Sequence, residues 1–263
     1  MELGLRGRRC IVTGASRGIG AAAAAALAAE AADLALIARS ADDLDERARA
    51  LREEHGVRAF PVVADLSSAG GVESGIAGAI RELGGVDVLV NNAGASPFGS
   101  LEQIDDAAWR ESVDLKLLGY VRGMRAVLPS MRAQKSGRIV NVLGIAGLAA
   151  SEGYVLGSIN TALSHITRST ALAVAADGIS VLALHPGPTA TARMLSGLAA
   201  GAEAAGVELD AFVESFGRRS VPLGRIGRPE EIARMIAVLA SDAASFMTGS
   251  AVQVDGGLNR SAV

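Results

Sequence analysis

Sulfur, aromatic and imidazole side chains are all scarce in this chain of 263 residues, which holds one cysteine, one tryptophan, two tyrosines and three histidines. A single thiol, Cys10, admits no intramolecular disulfide, and no basic-then-apolar leader opens the chain, so a reducing cytoplasm is the expected location. Three dispersed histidines and one cysteine exclude a standard zinc cluster. Half of the residues are hydrophobic, yet no apolar run reaches the roughly 20 residues of a membrane span. A net charge of −3 with scattered arginines gives no electrostatic footing for nucleic acid. Lysine is confined to Lys116 and Lys135, and tyrosine to Tyr120 and Tyr154.

What the chain has in abundance is glycine and alanine, and one stretch organises them. A short apolar strand (Cys10, Ile11, Val12) runs into Thr13-Gly14-Ala15-Ser16-Arg17-Gly18-Ile19-Gly20, and an alanine-rich helix opens at once. Gly14 allows a tight turn out of the strand, Gly18 lets backbone approach a ligand, and Gly20 lets the helix pack close to the sheet. The helix's first N–H groups are left facing outward, where an anion can sit. We read this loop as a seat for a dinucleotide pyrophosphate.

Strand-like and helix-like segments then alternate with short connections, the pattern of a parallel sheet covered on both faces. Strands are expected at 33–38, 57–63, 86–90, 137–142, 179–184 and 251–254, and helices near 41–55, 71–83, 106–133, 153–176 and 230–239. The length suits one α/β domain over 1–263, and the Ala/Gly-rich piece 194–219 reads as a mobile flap. Phe212 and Phe216 stand there at helical spacing, suggesting an apolar lid or plain core packing.

In this order the pieces resemble the short-chain dehydrogenase/reductase family over essentially the whole chain. The motifs are Thr13-Gly14 to Gly18-Ile19-Gly20, Asp65-Leu66, Asn91-Asn92-Ala93-Gly94, Pro186-Gly187 with Thr191, and Asp255-Gly256-Gly257. The resemblance implies a Rossmann-type doubly wound sheet, NAD or NADP, hydride exchange with a carbonyl or alcohol, and a homotetramer that buries the last helices. It implies that Asp65 accepts from the adenine amino group, that Asn91 and Asn92 tie strands together, and that Gly94 lies against the adenosine ribose. Thr191 would hold the nicotinamide carboxamide. Asp65 is also read as a cap for the following segment, and Thr191 as a hinge hydroxyl. An acid at the end of the second strand would favour an unphosphorylated ribose. Here that place holds Ala38, then Arg39 and Ser40, with Arg17 in the glycine loop, and two guanidinium groups favour a 2′-phosphate. NADP is therefore expected over NAD.

The sequence departs from the family where the chemistry lies. The family's Tyr-x-x-x-Lys dyad is absent; its tyrosine position falls at Leu156, its lysine at Asn160, its serine at Gly144 and its asparagine at Lys116. Two of these changes are reciprocal, lysine for asparagine and asparagine for lysine. Lys116 would place an ammonium near the nicotinamide ribose, or donate the proton itself if desolvation lowers its pKa, and Asn160 would hydrogen-bond the ribose. Tyr154 can act as proton donor only if the helix starts late and the phenol bends in from the preceding loop, because two residues along a helix turn a side chain about 200° away. Tyr120, four residues after Lys116, is a second candidate or a packed aromatic. Ser151 and Ser158 could stand in for the serine or be cap and surface hydroxyls. His165 reads as helix surface, and His185 as structural or functional. The leading function is an oxidoreductase with a rearranged catalytic set; the alternative is a catalytically silent dinucleotide-binding sensor or partner subunit.

Overall fold

Seven short segments, apolar because parallel strands are buried on both faces, build one sheet. They are β1 (Arg9–Thr13), β2 (Asp33–Ala38), β3 (Ala59–Val63), β4 (Val88–Asn91), β5 (Gly137–Val142), β6 (Ile179–Pro186) and β7 (Ala251–Val254). The computed structural model describes residues 2–95, 97, 99–148 and 154–260. Strand order is β3-β2-β1-β4-β5-β6-β7, and every pairing is parallel. Chain direction across the sheet reverses between β1 and β4, so the crevice at their C-terminal ends is where a doubly wound sheet takes its ligand.

The helices α1 (Gly18–Ala29), α2 (Ala41–His55) and α9 (Pro229–Ala240) cover one face. On the other lie α3 (Ala69–Leu83), α5 (Gly119–Ala133) and α6 (Tyr154–Val174). Local chemistry sets their ends. Ser68 Oγ accepts from the Gly71 amide at 3.0 Å to cap α3, and Gly56 and Gly84 close α2 and α3 in the left-handed conformation. Asp105 caps α4 (Asp106–Ser112) by accepting from the Ala108 amide. The apolar face of α9 is spent inside the subunit, where Ile232, Ala233, Ile236 and Ala237 join the core that also holds Ala23, Ala24 and Leu27 of α1. Its spacing therefore carries no separate sign of a tetramer.

The structure corrects one expectation and gives another its form. The helix foreseen over 106–133 is not uniform: between α4 and α5, residues Val113–Leu118 form a π-helical turn. The stretch foreseen as a flap is a pair of helices, α7 (Ala192–Ala205) and α8 (Leu209–Ser220), and Phe212 packs so closely on Gly201 that a Cβ there would lie 2.7 Å from its ring. Small residues serve close helix contact in that pair.

Candidate active site

The glycine loop forms at the C-terminal end of β1. Gly14 (φ 65°) and Gly18 (φ 59°) occupy backbone conformations that side chains disfavour. A Cβ on Gly20 would lie 2.2 Å from the Gly14 carbonyl oxygen, so α1 can pack here only as glycine. Arg17, extended and exposed, precedes α1 without capping it through its side chain, and the first-turn N–H groups stay available to an anion. Ser16 and Ile19 flank this turn, both half-buried. The cradle fits a dinucleotide pyrophosphate.

Asn92 locks the loop in place. Its Nδ2 donates to the Thr13 and Gly14 carbonyls, while Thr13 Oγ1 accepts from the Asn92 and Ala93 amides at 2.9 and 3.1 Å. Asn91 donates to Asn141 Oδ1 across β4 and β5 at 2.9 Å, and Asn141 donates on to Thr167 of α6. The asparagines thus tie strands together as foreseen. Gly94 also borders Lys116: a Cβ on it would lie 2.9 Å from Lys116 Cδ, so glycine makes room for the lysine stem.

At the C-terminal end of β2, Ala38 closes the strand, Arg39 is exposed, and Ser40 precedes α2 with its hydroxyl not engaged as a cap. Asp65 accepts from the Ser67 amide and hydroxyl, and these bonds, aided by nearby Arg39, hold its carboxyl below the usual range. These bonds shape the turn that leads into α3. Leu66 is buried beside Gly119. Pro186 ends β6, and Gly187 approaches Asp255 so closely that a Cβ would lie 2.7 Å from its Cα. Thr191 caps α7, its Oγ1 accepting from the Met194 amide, and its methyl lies against Gly18.

The catalytic candidates meet at the end of β5. Lys116, in the π-helical turn, is 5% exposed, and its Nζ donates to the Leu143 carbonyl at 2.8 Å, 5.9 Å from the centre of the Tyr120 ring. Burial, reinforced by the charge of Arg193, brings its pKa down to about 7. Asn160 is fully buried; its Nδ2 donates to the Gly144 carbonyl at 3.3 Å, and its Oδ1 has no hydrogen-bond partner among the described residues. The exchanged lysine and asparagine therefore reach adjacent carbonyls, from α6 and from the π-helical turn.

The two phenols stand in different settings. Tyr120 is buried and donates to the Val142 carbonyl at 2.8 Å, and burial pushes its pKa up, so it is a packed structural group. Tyr154 is the first residue of α6 and 38% exposed, so it belongs to the helix and is open to solvent. Ser158 is exposed and donates to the Tyr154 carbonyl; Ser151 lies outside the described residues. His165 is exposed, as expected.

Three features escape a reading of residue types. Gly144 sits at φ 147°, and a Cβ on it would lie 2.8 Å from Asn160 Nδ2, so the family's serine has no room in this arrangement. His185 is buried with Nδ1 2.8 Å from the Gly144 carbonyl and Nε2 3.4 Å from Ser164 Oγ. A carbonyl only accepts, so Nδ1 carries the proton; burial, opposed by that bond and assisted by Lys116, lowers the histidine's pKa. Arg193, in the first turn of α7, donates to the Gly94 carbonyl at 3.3 Å. The only advance signal for Arg193 was its place two residues after Thr191.

Comparison with known proteins matches the chain in sequence and fold. The family described as enoyl-(acyl carrier protein) reductase matches residues 14–259. The chain is 41% identical over 256 residues to cis-4-hydroxycyclohexanecarboxylate dehydrogenase of Sinomonas cyclohexanicum, covering 95% of this chain and 96% of the relative. It is 36% identical over 251 residues to acetoacetyl-CoA reductase of Rhizobium meliloti, covering 95% and 98%. L-sorbose reductase of Gluconobacter frateurii, solved with NADPH and L-sorbose, superposes with a TM-score of 0.95 at 31% identity, covering 99% of this chain and all of that one.

Proposed function

Because the chain belongs to the short-chain dehydrogenase/reductase family of NAD(P)-dependent oxidoreductases, we propose that it interconverts a ketone and a secondary alcohol with Lys116 as the group that holds the proton. The bound nicotinamide supplies or accepts the hydride. Lys116 gives a proton from Nζ to the substrate oxygen in reduction and takes it back in oxidation. A proton donor works best with a pKa near the working pH, and a buried lysine at about 7 beneath the Asn92–Gly94 loop is the observation that carries this reading. Asn160 turns its unpartnered Oδ1 to a ribose hydroxyl, and Tyr154 lines the approach.

The substrate is a small carbonyl compound, and the helix pair α7–α8 is its cover. Arg17 and Arg39 favour NADP through the 2′-phosphate, the active form is a homotetramer, and the protein works in the cytoplasm. No helix among the described residues is long and apolar enough to cross a membrane. NADP preference is checked by the ratio of NADPH to NADH dissociation constants. Arg39→Ala should shift that ratio about tenfold toward NADH, a loss of one charge-assisted contact; an unchanged ratio removes Arg39 from the account. Light scattering in solution reads the subunit number.

The decisive experiment is NADPH binding followed by turnover on a cyclic 4-oxo acid, a keto sugar and a 3-oxoacyl thioester. Lys116→Met should lower kcat at least about 100-fold, the scale of a lost general acid, while Tyr154→Phe stays within about threefold. Turnover indifferent to Lys116→Met makes the lysine–asparagine exchange incidental. Tight binding with no turnover on any carbonyl favours the silent binder.

A further inference from the structure

Three cations stand in a row along the crevice, and the middle one touches the environment of both others. Arg17 precedes α1, where a pyrophosphate would sit. Thr191 lies against Gly18, which brings the first turn of α7 beside Arg17. Arg193 on that turn is exposed at the crevice, and its Nη1 donates to the Gly94 carbonyl at 3.3 Å. Gly94 in turn rests on the stem of Lys116.

The charges feel one another in the same order. Burial and then Arg17 pull the Arg193 pKa down, and burial and then Arg193 pull Lys116 down. The other groups facing Lys116 are few. From β6 comes His185, from α6 the neutral Asn160, from β5 only backbone carbonyls, and from α5 the Tyr120 ring. Asp114, on the same π-helical turn, is paired with Arg122. Among the described residues, then, Arg193 is the formal charge that bears on Lys116 most strongly.

We propose that Arg193 is a positioning residue that couples dinucleotide binding to the protonation of Lys116, so that the protein takes a proton from water onto Nζ as the cofactor seats. The inference rests on the reading of Lys116 as the proton holder. An anion placed between Arg17 and Arg193 offsets the positive charge that disfavours the ammonium, so the Lys116 pKa rises on binding. Binding then loads the proton that reduction consumes.

Calorimetry of NADPH binding in buffers of different ionisation enthalpy reads the proton directly, without turnover. At about pH 7.5 a rise of one pKa unit from about 7 corresponds to uptake of roughly half a proton. At about pH 5.5, where Lys116 is already charged, uptake should fall close to zero. NADH run in parallel removes any proton belonging to the 2′-phosphate. Lys116→Gln should abolish the uptake, and Arg193→Gln should cut it to less than about a third, while His185→Asn leaves it in place. Arg193→Gln keeps the test open if the buried Lys116 variant fails to fold. Buffer-independent heats in the wild type overturn the coupling, as does uptake that survives Lys116→Gln. Lost turnover in Lys116→Gln together with buffer-independent wild-type heats sinks the coupling alone and leaves the proton-donor reading standing.

Discussion

Lys116 is a charged group held in a place that disfavours charge, and its consequences reach beyond catalysis. Its folded pKa, about 7, lies below the ordinary 10.5. Between those values the unfolded chain binds more protons, so stability rises with pH across this window, and below about pH 7 the penalty is complete. Lys116→Met should therefore stabilise the protein at about pH 6 by about 2 kcal/mol, the burial penalty less the loss at the orphaned Leu143 carbonyl. Melting curves at about pH 6 and pH 10 check this, and the advantage should vanish at the higher pH. Tyr120 is the contrasting case. Tyr120→Phe leaves the buried Val142 carbonyl unpaired and should lower stability by about 1–2 kcal/mol. Its kcat should stay within about threefold, and a larger fall would return Tyr120 to the list of proton donors.

At the scale of elements, the glycine loop, the asparagines and the strand sequence were legible because each rests on residue type at fixed spacing. Gly14, Gly18 and Gly20 could be read as backbone requirements from residue type, and Asn91 and Asn92 as ties through the family resemblance. The π-helical turn was not legible, because Val113–Leu118 has ordinary helix-forming residues and only tertiary packing widens it. Nor was the helical nature of 192–220, where alanine and glycine suited both a loose flap and a close helix pair. Gly144 was read as a lost serine, whereas its backbone angle makes it a required glycine. Gly144→Ser, the substitution that restores the family's residue, should therefore lower stability by about 2 kcal/mol and fail to raise turnover. Thermal melts and steady-state rates on the variant decide this; faster turnover would show that the loop relaxes to accept the side chain.

Across the whole molecule, one part-buried charge cluster fastens the sheet's far end, away from the crevice. Arg9 of β1 donates to Asp87 just before β4 at 2.6 and 2.8 Å and to Gln134, which follows α5. Burial alone would raise the Asp87 carboxyl, but the Arg9 bonds more than offset it and hold the pKa below its ordinary value. Stability from this cluster is thus fully present above about pH 4 and is lost as pH falls through the lower folded value. Arg9→Ala should destabilise by about 1–3 kcal/mol at neutral pH, the scale of lost charge-assisted hydrogen bonds, and flatten the acid limb of the melting profile. Activity measured below the melting transition should be unaltered.

The end of β5 is where four side chains from three parts of the chain converge, and every one of them terminates on main-chain oxygen. Tyr120 meets Val142, Lys116 meets Leu143, and Asn160 and His185 meet Gly144. An acceptor of this kind is common to every residue type, so at Val142 and Leu143 it is kept whatever side chain stands there. A chain can move its ammonium from one helix to another, filling the vacated position with an amide, without altering β5. Alanine scanning is blind to such a rail. Replacing the peptide link after Leu143 or Gly144 by an ester, which weakens the carbonyl as an acceptor while keeping every side chain, is the perturbation that would feel it.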